Sequence, residues 1–232
     1  MHTLFLTQNG KVYGIGGNED GQLGLGKKNM NQEIDEITLI KMNGFIKAIE
    51  CGMNSSFAVN SEGVVFCWGK NNDAILGLKK KMSKSQIAYK PSEIGYFVKN
   101  GIKIEDINCG AKHIIAVDSH QYILSWGSNQ LGQCGIGKVK PDFVEIPKRI
   151  KLAKNVKISE WRMGAYHTFV KSNQNQWFAF GSNAFRQCLI KGDEFDEKVP
   201  CPTLIDQTVL PKKCNIDAMD IVCGRETTLI LF

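Results

Sequence analysis

Proline is scarce in this chain, at 6 of 232 residues. None of its 8 cysteines forms a Cys-x-x-Cys pair, the spacing of zinc ribbons and thiol redox sites. No apolar run approaches the roughly 18 residues that cross a bilayer. The opening stretch MHTLFLTQNG lacks the basic and apolar regions of a secretory signal. Concentrated charge is missing too. The net charge is +6, but the lysines are scattered, with one short run at Lys79–Lys81 and pairs at Lys27–Lys28 and Lys212–Lys213. A nucleic-acid surface gathers its charge more tightly, so nucleic acid is not an expected partner. These absences set the expectation of a soluble, intracellular protein in a reducing compartment, with no membrane span, metal or cofactor.

Glycine is abundant, at 23 residues. Much of it recurs in register. Four segments, KVYGIG, VVFCWG, YILSWG and QWFAFG, end on Gly16, Gly69, Gly127 and Gly181, which lie 53, 58 and 54 residues apart. Each glycine follows a large apolar residue: Ile15, Trp68, Trp126 or Phe180. That pairing reads as a bulky side chain entering a core beside a backbone conformation that glycine reaches at least cost. A second frame lies upstream, in IKAIECG, IKIEDINCG, VKISEWRMG and IDAMDIVCG, where apolar residues alternate as on one face of a strand. Three residues past each closing glycine stand Ser55, His113, His167 and Thr227, and His2 holds the same slot near the start.

Short apolar strands follow these slots, and tight turns follow the strands, Asn9-Gly10 being the strongest hairpin signal. A glycine-rich loop then follows each second strand, with Asn18, Asn71, Asn129 and Asn183 at one shared position. Asparagine there is expected to bond the loop's own backbone. Between loops lie polar segments of unequal length, 27–45, 79–101, 138–155 and 191–215. Variable segments on a repeating scaffold are where partner contacts are expected.

The pattern Gly-x-x-His-(Ser/Thr), a hairpin, then Val-x-x-Trp-Gly-x-Asn-x-x-Gly-Gln-Leu-Gly-x-Gly resembles the repeat of the regulator of chromosome condensation family. It is clearest at residues 18–26 and 126–137 and in Gly164-Ala165-Tyr166-His167-Thr168. The resemblance implies an all-β protein of propeller blades, each with four antiparallel strands. The chain holds about four blades plus an extra strand, in one domain, 1–232, with repeats near 2–54, 55–112, 113–166 and 167–226 and a terminal strand at 227–232. HTLFLT and TTLILF at the two ends offer the same strand slot, so an open or partner-completed arc is expected.

Catalytic chemistry finds little support. Gly21–Lys27 and Gly132–Lys138 fit Gly-x4-Gly-Lys, but Lys28 and Val139 follow where a phosphate loop needs Ser or Thr. Histidines repeated at one slot (His113 and His167 among them) read as links between blades. The acids around Asp193–Glu197 read as a solvated face. The expected function is a non-enzymatic protein-interaction scaffold. Its protein partners would meet the variable segments and the terminal strand edges, in a larger assembly. The alternative implied by the resemblance is a guanine-nucleotide exchange regulator of a small GTPase such as Ran.

Overall fold

The computed structural model describes residues 1–78, 86–152, 156–191, 197–205, 207–211 and 220–231. Lys79–Lys81, Lys212–Lys213 and Asp193–Asp196 lie outside them. Five antiparallel sheets follow one another along the chain. The first has three strands, β1 (His2–Leu6), β2 (Val12–Gly17) and β3 (Glu33–Ile40). The second has β4 (Ile46–Cys51), β5 (Ser55–Asn60), β6 (Val65–Lys70) and β7 (Ile87–Glu93). The third has β8 (Ile104–Cys109), β9 (His113–Asp118), β10 (Ile123–Ser128) and β11 (Phe143–Arg149). The fourth has β12 (Ile158–Met163), β13 (His167–Ser172), β14 (Trp177–Ser182) and β15 (Lys198–Leu204). The last has, among the described residues, β16 (Asp220–Cys223) and β17 (Thr228–Leu231). Among the described residues no strand pairing joins the first sheet to the last.

Each sheet is a meander whose register is set by its turns. Gly10, Gly63, Gln121 and Asn175 occupy the hairpin position that needs positive φ, at 73, 83, 63 and 64°. Gln121 has no glycine's freedom there, but its side-chain amide donates to Glu105 Oε2 at 2.7 Å. The first strands gather on one side, β4 against β8 and β12 against β16. A unit read from sequence therefore straddles two sheets: residues 2–54 supply β1 to β3 and then β4, which opens the next sheet. That offset ties neighbouring sheets through the covalent chain as well as through packing.

The core lies between sheets. Trp68, Trp126 and Trp177 and the rings of Phe57, Phe97, Phe169 and Phe180 are fully buried. Each such side chain contributes about 1.5–3 kcal/mol by leaving water. Phe97 belongs to a short helix, α1 (Gly95–Asn100), and meets Trp126 edge-on with centroids 5.7 Å apart. The variable segments expected as loops are only partly so. Each carries the last strand of its sheet, β3, β7, β11 or β15, and the second also carries α1.

Candidate interaction surfaces

The glycine that closes each central strand has φ near 100°: 106° at Gly16, 94° at Gly69, 103° at Gly127 and 111° at Gly181. A Cβ on Gly127 would lie 2.5 Å from the Lys112 carbonyl oxygen in the adjacent strand turn. The strands can approach this closely only where no side chain intervenes.

The loop after that glycine is two successive turns held by the recurrent asparagine. The amides of Leu23, Leu76, Cys134 and Cys188 donate to the side-chain oxygens of Asn18, Asn71, Asn129 and Asn183, at 2.9, 2.9, 3.3 and 3.1 Å. Loop amides that a phosphate would need are spent inside the loop, as in Gly24 N–H to the Gly21 carbonyl at 2.9 Å. Ala74, Arg186 and Leu189 replace glycines yet keep their left-handed backbone, at φ 59, 60 and 56°. Such a conformation costs a non-glycine residue about 1–2 kcal/mol, so packing around the loop dictates its shape.

Between sheets runs a short polar relay. His2 Nε2 lies 2.8 Å from Ser56 Oγ in the next sheet, His113 Nε2 3.0 Å from Thr168 Oγ1, and His167 Nε2 3.0 Å from Thr228 Oγ1. Ser56 and Thr228 donate their hydroxyl protons to the Gln22 and Gln187 carbonyls, both at 2.7 Å. The histidine therefore supplies the proton, which fixes the neutral Nε2–H tautomer for His2 and His167. Burial pushes the imidazoles far below their usual 6.5, to about 4 in His2, about 3 in His113 and about 4 in His167. Nδ1 of His113 and of His167 is buried without a partner among the described residues, which a bare lone pair tolerates better than a proton would. The same loop carbonyls anchor the aromatics. Trp68 Nε1 donates to Gln22 O at 2.8 Å and Trp126 Nε1 to Ile75 O at 2.7 Å. Among the described residues no group of three or more His, Cys, Asp and Glu could hold a metal ion. These histidines link neighbouring sheets.

Two end faces are also exposed. On the first sheet Phe5, Tyr13 and Leu39 align across three strands, and Phe5 is 42% exposed. Its counterparts in the interior sheets, Ala58, Ala116 and Val170, are completely buried against the preceding sheet. On the last sheet Val222 pairs with Leu229, and Leu229 and Leu231 are 67% and 70% exposed. The counterparts of Leu229, namely Phe57, Ile115 and Phe169, are completely buried against the following sheet. One end therefore presents a leading face and the other a trailing face. In the fourth loop Leu189 stands where Gly24, Gly77 and Gly135 press on Trp68, Trp126 and Phe180 at 2.9, 2.9 and 2.8 Å from their would-be Cβ. The last sheet brings no aromatic side chain to that point among the described residues. These end faces were only partly legible in the sequence, which marked the strand slots and not the buried register that assigns each face.

The repeating sheets, the relay and the unmatched end faces define an open array of propeller blades. The chain belongs to the regulator of chromosome condensation (RCC1) repeat family, whose repeat model matches residues 9–59, 62–117 and 122–170, more than half of its length. The match stops short of the fourth loop, where Arg186, Leu189 and Lys191 replace glycines, although β14 and β15 complete a sheet of the same kind. Over 99% of the chain the sequence is 30% identical to human "Probable E3 ubiquitin-protein ligase HERC6", of which it spans 21%. Over 78% it is 27% identical to the dog "X-linked retinitis pigmentosa GTPase regulator", of which it spans 22%. The chain thus corresponds to a minor part of either relative. The structure of yeast RCC1 (Prp20) bound to Kap60 superposes with a TM-score of 0.77, at 24% identity, over 97% of this chain and 50% of that one. No helix among the described residues is long and apolar enough to cross a membrane.

Proposed function

We propose that this chain is a non-enzymatic protein-interaction module and a subunit of a larger assembly. The observation that carries this reading is the pair of opposite end faces, leading and trailing, each apolar where its interior counterparts are buried. Each end suits a further sheet of the same kind or a protein that imitates one, and the variable segments 27–45, 79–101, 138–155 and 191–215 would add further partner contacts. The relay histidines His2, His113 and His167 are committed to holding sheets together.

A second reading, a regulator of nucleotide exchange on a small GTPase, draws support from the likeness to a protein named as a GTPase regulator. The discriminating experiment is release of a fluorescent GDP analogue from Ran and from related small GTPases. With the chain at micromolar concentration, release is expected to stay at its intrinsic rate. Acceleration in proportion to the chain's concentration would replace the first reading by the second.

A further inference from the structure

The first sheet differs from its interior neighbours along one edge. Each interior sheet begins with an innermost strand, β4, β8 or β12, paired with β5, β9 or β13, and β16 pairs in the same way with β17. In the first sheet β1 holds the place of β5, and its far edge pairs with no strand. Bonds from Gly17 N–H to Met1 O and from Thr7 N–H to Lys11 O, at 2.8 and 2.9 Å, turn the backbone of Met1 and Thr7 toward β2. Backbone groups alternate along an antiparallel strand, so those of His2, Leu4 and Leu6 face the open edge. There the Leu4 N–H meets the Cys51 sulfur, a weak acceptor. The side chains show the same gap. His2, Leu4 and Leu6 are half-buried, whereas their counterparts Ser55, Phe57 and Val59 in the second sheet and His113, Ile115 and Val117 in the third are buried. Across the gap Ile49 of β4 is half-buried and Cys51 exposed, while Ile107 and Ile221, in the place of Ile49, are buried.

The four innermost strands show what fits such an edge. Each is followed by a glycine whose N–H donates to the carbonyl of the residue in the histidine slot: Gly52 to Ser55, Gly110 to His113, Gly164 to His167 and Gly224 to Thr227, at 2.8, 2.9, 2.9 and 2.9 Å. The corresponding acceptor on β1 is the His2 carbonyl. Glycine is required where the slot holds histidine, because a Cβ on Gly110 or Gly164 would collide with the ring of His113 or His167. Ser56 holds the His2 ring in the same position. A Cβ on Gly52 would also lie 2.9 Å from Cys109 Sγ, and Cys51 is the counterpart of Cys109 in the second sheet. Three residues before these glycines stand Ile49, Ile107, Trp161 and Ile221, which pair with Ala58, Ala116, Val170 and Ile230. The same register places the equivalent incoming residue beside Phe5, which is 42% exposed.

We propose that the open edge of β1 takes up an extended strand of a partner protein, with a large apolar residue three positions before a glycine, as the innermost strand of the first sheet. The glycine lies over the His2 ring and the Cys51 sulfur, and the apolar residue packs on Phe5. Edge pairing supplies main-chain hydrogen bonds, and these two side-chain requirements supply selectivity. A second copy of this chain is not the donor, because its four strands of this kind, β4, β8, β12 and β16, are already paired. The proposal rests on the reading of the chain as an interaction module and names the segment of the partner that binds. Its failure would leave that reading standing, because the end faces are tested separately by self-association.

The test is a nuclear magnetic resonance titration of the full chain with acetyl-Ile-Ser-Glu-Trp-Arg-Met-Gly-Ala-Tyr-amide, the chain's own residues 158–166. Saturable shifts are expected along β1 and at Cys51, with a dissociation constant on the order of 0.1–1 mM for a single added strand. Amide hydrogen exchange is expected to slow at Leu4 and Leu6 and to stay unchanged at Phe5, which already pairs with Tyr13 of β2. The peptide carrying Gly164→Ala is expected to bind about tenfold more weakly. In the chain, His2→Ala removes the ring, so the preference for the glycine peptide should fall to about threefold or less. No saturable shift, shifts confined to β17, exchange slowed at Phe5 and not at Leu4, equal binding of both peptides to the parent chain, or an undiminished preference in His2→Ala would overturn the proposal.

Discussion

Replacing Trp126 with alanine is expected to destabilise the chain by about 3–5 kcal/mol, the usual cost of emptying a fully buried aromatic site. Three contacts concentrate there. The indole lies at the centre of β10 with no exposed surface, its Nε1 donates to the Ile75 carbonyl at 2.7 Å, and its ring meets Phe97 of α1 edge-on. It also lies over Gly77, whose Cβ, if present, would sit 2.9 Å from Nε1. The indole therefore joins the second sheet, its loop and the third sheet at one point. Trp126→Phe is expected to cost less, about 1–2 kcal/mol, because it keeps most of the packing and leaves one buried carbonyl unpaired. Phe180 already fills the equivalent place in the fourth sheet. Guanidinium unfolding followed by circular dichroism measures both. An alanine variant within 1 kcal/mol of the parent would mean that the sheets do not pack through this column of aromatics.

Acidification is expected to be the second large effect. In the unfolded chain a histidine takes up a proton near pH 6.5, and in the folded chain His2 does so near 4, His113 near 3 and His167 near 4. Stability that depends on these neutral rings is complete above pH 6.5 and falls as the pH drops through 6.5 toward 4. The slope is at most about 1.4 kcal/mol per pH unit for each ring, and less for His2, which is partly exposed. Two carboxyl groups act in the opposite sense. Burial, and then the charge of Asp106, raises Glu50 from 4.5 to about 7, and burial raises Asp106 as well. A raised carboxyl disfavours the folded state above its unfolded value, so that penalty relaxes as the pH falls from 7 to 4.5. Three histidines against two carboxyls leave a net loss of stability as the pH falls from 7 to 4.5. Two variants separate the opposing groups. His113→Gln should flatten the acid limb, whereas Glu50→Gln should add stability at pH 7.5 and none at pH 4.5. Stability that holds or rises on acidification would show that the rings are not held neutral.

What was legible in the sequence is what repeats at a fixed place. The glycines at 16, 69, 127 and 181 announce themselves because a backbone approach of 2.5 Å, as at Gly69 and Gly127, admits no side chain. The slot of His2, His113 and His167 was visible for the same reason. Its receivers, Ser56, Thr168 and Thr228, were less so, since each lies a full repeat away in sequence. The last strands of the first four sheets were hidden for a physical reason. They are outer edges, paired on one side only, so their two faces are not strongly divided between core and water. β3, EIDEITLI, buries only its last residue. β7, β11 and β15 contain Pro91, Pro147, Pro200 and Pro202, four of the 6 prolines in the chain. Proline argues against a strand in general, but an outer edge tolerates it because the missing N–H can face away from the ladder. The second and fourth loops lack glycines at Ala74, Arg186 and Leu189, and the asparagine clamp and the surrounding packing impose the same turns.

The central claim is that the two end faces are interaction surfaces, and sedimentation velocity of the isolated 232-residue chain tests it most directly. A leading face and a trailing face on one molecule fit one another head to tail, so the chain alone is expected to associate as its concentration rises. Leu229→Lys with Leu231→Lys, at side chains 67% and 70% exposed and outside the core, should return it to a monomer without lowering its unfolding midpoint. A chain that stays monomeric at every concentration, with the double variant indistinguishable from it, would contradict the account.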